Sequence, residues 1–224
     1  MTQVPHDGPE LSQIYRSRFE GMSHYRTCVW KILIDTVFAQ WISKDQAVLD
    51  LGAGQGEFIN QVHVAKKFAM DLNPATRTVL NPSVTFVEQD CSAPWAIPDG
   101  SIDVVFTSNF FEHLPDKPAL RRTLDHAFKA IRPNGRLIAM GPNIRLVPGS
   151  YWDFWDHYLP LTERSLGELA RLSGFIIEKE IAATLPYSMS QGFTPPLWCV
   201  RIYAQLPILW PLFGKQFIVV LRKP

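Results

Sequence analysis

Asp50, Gly52, Gly54 and Gly56 occupy alternate positions in VLDLGAGQGEF (48–58), directly after an apolar run. Three side chains are given up within five residues, beside a carboxylate. Glycine allows positive φ and lets a backbone approach a ligand closely. Such a loop suits a nucleotide-like ligand held where a strand turns into a helix, expected here over 56–65, with its free N–H groups at the crevice. The spacing departs from G-x-G-x-x-G, the loop that cradles a pyrophosphate. Glu57 would also be unwelcome beside phosphate. An acidic loop fits a cationic ligand without phosphate better.

The elements around this loop alternate. Strands are expected over 47–51, 67–72, 84–90, 101–108, 135–141, 175–182 and 215–223. Helices are expected between Leu11 and Trp41, over 118–131 and over 162–174, with a helical turn after Asn73-Pro74. This rhythm predicts an α/β, Rossmann-like, doubly wound sheet of seven mostly parallel strands, ending in an antiparallel strand, in a single domain. Residues 1–44 are read as an N-terminal helical cap. Residues 45–224 are read as the main domain, with aromatic-rich insertions at 143–166 and 183–214. Ligands bind such sheets at the C-terminal ends of the strands.

Further polar groups fall at those ends. Asp71 closes the second strand, 21 residues after Asp50, where a carboxylate can accept ribose hydroxyls. Asp90-Cys91 closes the third, and TSNFFEHL (107–114) follows the fourth. With these motifs the chain resembles the class I S-adenosylmethionine-dependent methyltransferases over about residues 45–182. The resemblance implies S-adenosyl-L-methionine, a sulfonium without phosphate, as cofactor. Its site would comprise Asp50, Gly52, Ala53, Gly54, Gly56, Asp71, Leu72, Asp90, Cys91 and Asn109. Leu72 and Cys91 would flank the adenine, with Asp90 near its amine. The phrases TSNFFEHLP, PNIR, YWDFWDH and PLTERSL look like bacterial type 11 methyltransferases found near polysaccharide and glycolipid genes. Ala53 stands where many members have Cys, and Asn134 where many have Gly.

The acceptor side is expected outside the cofactor motifs. His157, His113 and Glu112 are the candidate catalytic groups, with His157 the leading base, oriented by Asp153 or Asp156. Tyr151, Trp152, Trp155, Tyr25 and Arg26 are the candidate substrate-binding residues. The competing reading makes Trp152, Trp155 and Tyr158 core residues at helical spacing and His157 a structural histidine. The expected acceptor is a small molecule or glycolipid, methylated at oxygen. A non-catalytic cofactor-binding module is the alternative, and a nicotinamide-dependent oxidoreductase is a rival that the glycine spacing disfavours.

Composition narrows the partners. With 22 Lys+Arg against 21 Asp+Glu, the net charge of +1 offers no basic stripe for nucleic acid. No basic n-region precedes an apolar run, and no span approaches the ~18 apolar residues of a membrane helix. A cytoplasmic protein is expected, with peripheral contact at the inner membrane face through the Pro- and aromatic-rich segment 193–214 as a further reading. Cys28, Cys91 and Cys199 form neither a disulfide framework nor a zinc pattern, and no metal site is expected. The oligomeric state is left open.

Overall fold

The structure is a computed structural model that describes residues 23–186 and 194–224. Seven strands form one sheet: β1 (Ala47–Leu51), β2 (Lys66–Asp71), β3 (Val84–Glu88), β4 (Ile102–Ser108), β5 (Ile131–Pro142), β6 (Ile176–Ile181) and β7 (Gln216–Arg222). Their order is β3-β2-β1-β4-β5-β7-β6. The first five run parallel, and β7 lies antiparallel to both β5 and β6. The expected architecture is therefore present.

The central strands are apolar on both faces because both faces are covered. Period-2 alternation divides them. Leu49, Leu51, Val105, Leu137 and Leu221 pack on α2 (Lys117–Ala130) and α3 (Glu163–Leu172). Val48, Val104, Phe106, Ile138 and Val220 pack on α1 (Ser23–Leu33) and the π-helix Ile34–Phe38 that continues it. Phe58, stacked on Phe106 at 3.7 Å between centroids, anchors the chain after the glycine turn in this second core. Thus 23–38 shares a core with the sheet. The expected helical residues before 23 lie outside the described residues.

The insertion expected at 183–214 is described in part, with Phe193 outside the described residues. It folds as α4 (Leu197–Gln205), a 3-10 turn and α5 (Trp210–Phe213). Tyr203 donates to the Thr184 carbonyl at 2.5 Å, and Trp210 Nε1 donates to the Tyr203 carbonyl at 3.0 Å. These bonds tether the segment beside β7.

One expected element is reduced. Residues 56–65 form a single turn, with bonds from Asn60 N to Gly56 O and from Val62 N to Phe58 O, both 3.0 Å. The Asn60 carbonyl accepts from Lys67 Nζ and Asn81 Nδ2, both at 3.3 Å, while Ala65 N already pairs with Gln46 O on the way into β2. Val62 and Val64 add β-branched crowding. These competing partners stop the helix after one turn.

α2 opens on a side-chain cap: Asp116 accepts from Ala119 N at 2.7 Å, with Pro118 in the first turn. Asp116→Ala should lower unfolding stability by about 1 kcal/mol. Urea denaturation measures this, and an unchanged midpoint would remove the cap from the account.

Candidate functional site

A cleft of about 230 Å3 opens at the C-terminal ends of β1 to β4, around β1, where the strand order reverses. Gly52 and Gly54 form its floor. Gly52 has φ +72°, and a Cβ there would stand 2.2 Å from Cγ of Phe110, so the ring requires glycine beneath it. A Cβ on Gly54 would meet nothing within 4 Å, so the space above that glycine is open.

Asp71 stands opposite. Its Oδ2 accepts from Gly54 N at 2.8 Å and its Oδ1 from Asn73 N at 2.9 Å. Burial pushes its carboxyl upward, and those amides with the Thr76 hydroxyl oppose the rise. Leu72, Asp90 and Cys91 complete this wall. Asp90 also caps the next turn, accepting from Ser92 N at 2.8 Å and Ser92 Oγ at 3.1 Å. Cys91 is buried against Thr123, and burial raises its thiol to about 12, so it presents a neutral surface.

Four residues expected to meet the cofactor lie behind this lining: Asp50, Ala53, Gly56 and Asn109. Asp50 is 4% exposed. Burial pushes its carboxyl up to about 8, the neighbouring Asp71 adds to the rise, and the Ile59 amide opposes it. Gly56 faces Asn60 and Leu80. Asn109 takes a left-handed φ of +49°, and its side chain donates to Ser108 Oγ.

Two expectations are corrected. The helix N-terminus expected at the crevice is absent, because 56–65 is one turn; the Gly54 amide faces the cleft carboxylate instead. Glu57 does not supply the acidity of the loop. Both its oxygens are held by Arg26, the first at 2.7 Å, in a mostly buried ion pair. Arg26 is thereby drawn to the glycine turn and away from an anionic substrate. The acidity of the cleft comes from Asp71, Asp90 and Asp156, and its lining contains no Lys or Arg.

At the far end stand Phe110, His113, Leu114, Pro115, Asp156 and Tyr158. His113 Nδ1 lies 2.8 Å from the Asp156 carbonyl and 3.2 Å from its carboxylate. Asp156 therefore orients His113. Burial alone would lower the His113 pKa, but Asp156 and Glu112 raise it overall. Glu112 is 2% exposed, and burial pushes its carboxyl up to about 7 against the pull of His113. His157 is 6% exposed and lies 4.9 Å from the His113 ring, between Tyr151 and Phe154. The structure thus brings Glu112, His113 and His157 together, yet only His113 lines the cleft.

The expected substrate contacts scatter. Tyr151 is fully buried and donates to the Leu159 carbonyl, a core position that cannot meet a substrate. Tyr25 donates to the Pro195 carbonyl at 2.7 Å and braces the segment before α4. Trp152 and Trp155 are exposed outside the cleft lining, which corrects the helical-core reading for both. Phe110, Asp156 and Tyr158 are the site residues that strand-end reasoning did not place. The NFFEH and WDHY motifs held the signal, but their meeting depends on the loop after β5 folding back: Tyr158 N and Leu159 N both donate to the Glu112 carbonyl.

Asp50 makes a testable contribution to stability. Its folded-state value of about 8 exceeds the ordinary 3.8, so the folded protein holds a proton that the unfolded chain releases. Stability should therefore fall as pH rises from about 4 to about 8. Asp50→Asn should make that slope shallower in urea denaturation at pH 5, 6.5 and 8; an unchanged slope would assign the proton elsewhere.

Residues 22–180 match the family described as Methyltransferase domain. Phosphoethanolamine N-methyltransferase 1 of Arabidopsis thaliana is 34% identical over 105 residues, 42% of this chain. The chain spans about a fifth of that relative's length, 20%. A S-adenosylmethionine-dependent methyltransferase from Archaeoglobus fulgidus superposes with a TM-score of 0.68 at 19% identity, covering 95% of this chain and 99% of that one. A chain of the Haloferax volcanii complex between the Trm112 methyltransferase activator and a methyltransferase superposes with a TM-score of 0.69 at 17% identity, covering 99% and 100%. At such identities these structures speak for the fold. The family match spans most of the chain, and so the chain belongs to the methyltransferase-domain family, which implies S-adenosylmethionine as the methyl donor.

Proposed function

We propose that the protein is an active S-adenosylmethionine-dependent methyltransferase whose acceptor is an oxygen of a sugar, a glycolipid or a similar small molecule. The observation that carries this reading is the continuous cleft from Asp71 and Asp90, past the glycine turn, to His113 and Tyr158. Its lining holds three carboxylates and no Lys or Arg, which suits a cationic ligand and opposes a pyrophosphate. The residues therefore fit the cofactor and not a nicotinamide dinucleotide.

Asp71 would accept a ribose hydroxyl, with Leu72 and Cys91 offering apolar surface to the adenine and Asp90 an acceptor for its amine. When bound, the cofactor supplies an electrophilic methyl group on a positively charged sulfur. Phe110, Leu114 and Pro115 exclude water around the reacting end, where positioning and desolvation carry much of the rate. His113, held by Asp156, is the group that meets the acceptor. Glu112 and His157 back it from within the core. For a glycolipid acceptor, exposed Trp198, Ile208, Leu212 and Phe213 form an apolar stretch suited to peripheral contact with a membrane face.

The name of the Arabidopsis relative favours a second reading, in which the acceptor is an amine. A cationic headgroup would suit Asp156 at the acceptor end. Product analysis with labelled methyl donor on sugar, glycolipid and amine acceptors separates the two.

Titration calorimetry should show S-adenosylmethionine and S-adenosylhomocysteine binding in the micromolar range and no NAD binding. Binding of NAD alone would overturn the proposal. Asp71→Ala should weaken cofactor binding about 10- to 100-fold through loss of a charged acceptor, and unchanged affinity would remove the ribose assignment. His113→Ala should lower kcat at least tenfold with cofactor affinity near wild type. Full turnover would remove His113 from the acceptor site.

A further inference from the structure

Methyl transfer to a nucleophilic oxygen requires one group to receive or orient the acceptor. Three ligand-type side chains meet at and behind His113, which borders the cleft. Glu112 and His157 are almost fully buried and His113 mostly so. One donor atom from each lies within 4.8 Å of the other two. Ligands about 2.0–2.2 Å from a divalent cation stand about 3–4 Å apart, so small side-chain adjustments would close the group around an ion.

A second feature points the same way. Imidazoles that bind metals characteristically donate their other ring nitrogen to a carboxylate or carbonyl, which fixes tautomer and orientation. His113 has this support at Nδ1 from both the carbonyl and the carboxylate of Asp156, 2.8 and 3.2 Å away. Donation there leaves the lone pair on Nε2. The His157 ring is fixed by packing, stacked on Phe154 at 4.9 Å and tilted against Tyr151 at 4.6 Å. Three protein ligands leave coordination positions open, and His113 borders the cleft from which an acceptor oxygen would arrive.

We propose that Glu112, His113 and His157 form a divalent metal site at the acceptor end of the cleft, with Asp156 as its outer support. This departs from the metal-free expectation of the sequence, where His157 stands 44 residues beyond His113 with no ligand spacing to connect them. Two imidazoles and one carboxylate favour a borderline first-row ion such as Zn2+ over the harder Mn2+, Mg2+ or Ca2+. Only the part in which the ion receives the acceptor rests on the proposed methyltransferase function. Metal binding itself does not.

The test uses the full chain, stripped with EDTA and titrated with ZnCl2, MnCl2 and MgCl2. The expected result is one equivalent of Zn2+ per chain, tighter than Mn2+ or Mg2+, with the unfolding temperature raised by the bound ion. Glu112→Gln and His157→Ala should each weaken binding at least 100-fold, and Asp156→Asn about 10-fold, with circular dichroism unchanged. If Glu112→Gln and His157→Ala both fail to fold, Asp156→Asn and the visible spectrum of wild-type protein with Co2+ decide: weaker binding and an imidazole–carboxylate spectrum support the site. Absence of stoichiometric binding by folded wild-type protein, or binding unchanged in the variants, would overturn it. Metal binding without cofactor binding would leave the site standing and remove the methyltransferase proposal instead.

Discussion

The cleft depends on one tie, the bond from the Gly54 amide to the Asp71 carboxylate at 2.8 Å. It joins the turn leaving β1 to the end of β2. A second amide, Asn73 N, fastens the same carboxylate to the turn that follows it. Parallel pairing brings the two strand ends side by side, with Leu51 opposite Met70. The carboxylate then converts that adjacency into a fixed wall. Because 56–65 makes only one helical turn, the glycine loop has no helix dipole to order it, and the tie to Asp71 holds its shape.

Electrostatics follow from who is paired with whom. Arg26 neutralises Glu57 behind the loop. The carboxylates left facing the cleft have no basic residue among the lining. A site built this way attracts positive charge and repels phosphate. Asp50, deeper and more buried, is pushed toward its neutral form, and the carboxylates that a ligand can reach are those of the lining, Asp71, Asp90 and Asp156.

The acceptor end is assembled from loops. The 3-10 turn Phe111–His113 after β4 and the aromatic segment after β5 close on each other through the Glu112 carbonyl. This contact buries Glu112 and His157 beside His113 and sets Asp156 against the His113 ring. Buried polar groups in such a cluster must be paired or ligated to persist, which makes the loop contact a condition of the chemistry. On the opposite face, α4 and α5 contribute Ala204 and Trp210 to the core shared with α1, and none of their residues lines the cleft.

The sequence by itself determined the layered α/β architecture, because apolar strands, capped helices and turn residues are local signals read over a few residues. It determined the strand-end residues Gly52, Gly54, Asp71, Leu72, Asp90 and Cys91, because a doubly wound sheet must bring its strand ends to one edge. Tertiary structure decided what depends on partners distant in the chain. Arg26 took Glu57, Pro195 took Tyr25, and Lys67 and Asn81 took the Asn60 carbonyl where a helix shrank to a turn. Tyr151 of the aromatic loop went into the core while Trp152 and Trp155 stayed outside it. The meeting of Glu112, His113 and His157 belongs to the same class. Loops carry no period to reveal their fold, and only long-range packing sets which side chains they bring face to face.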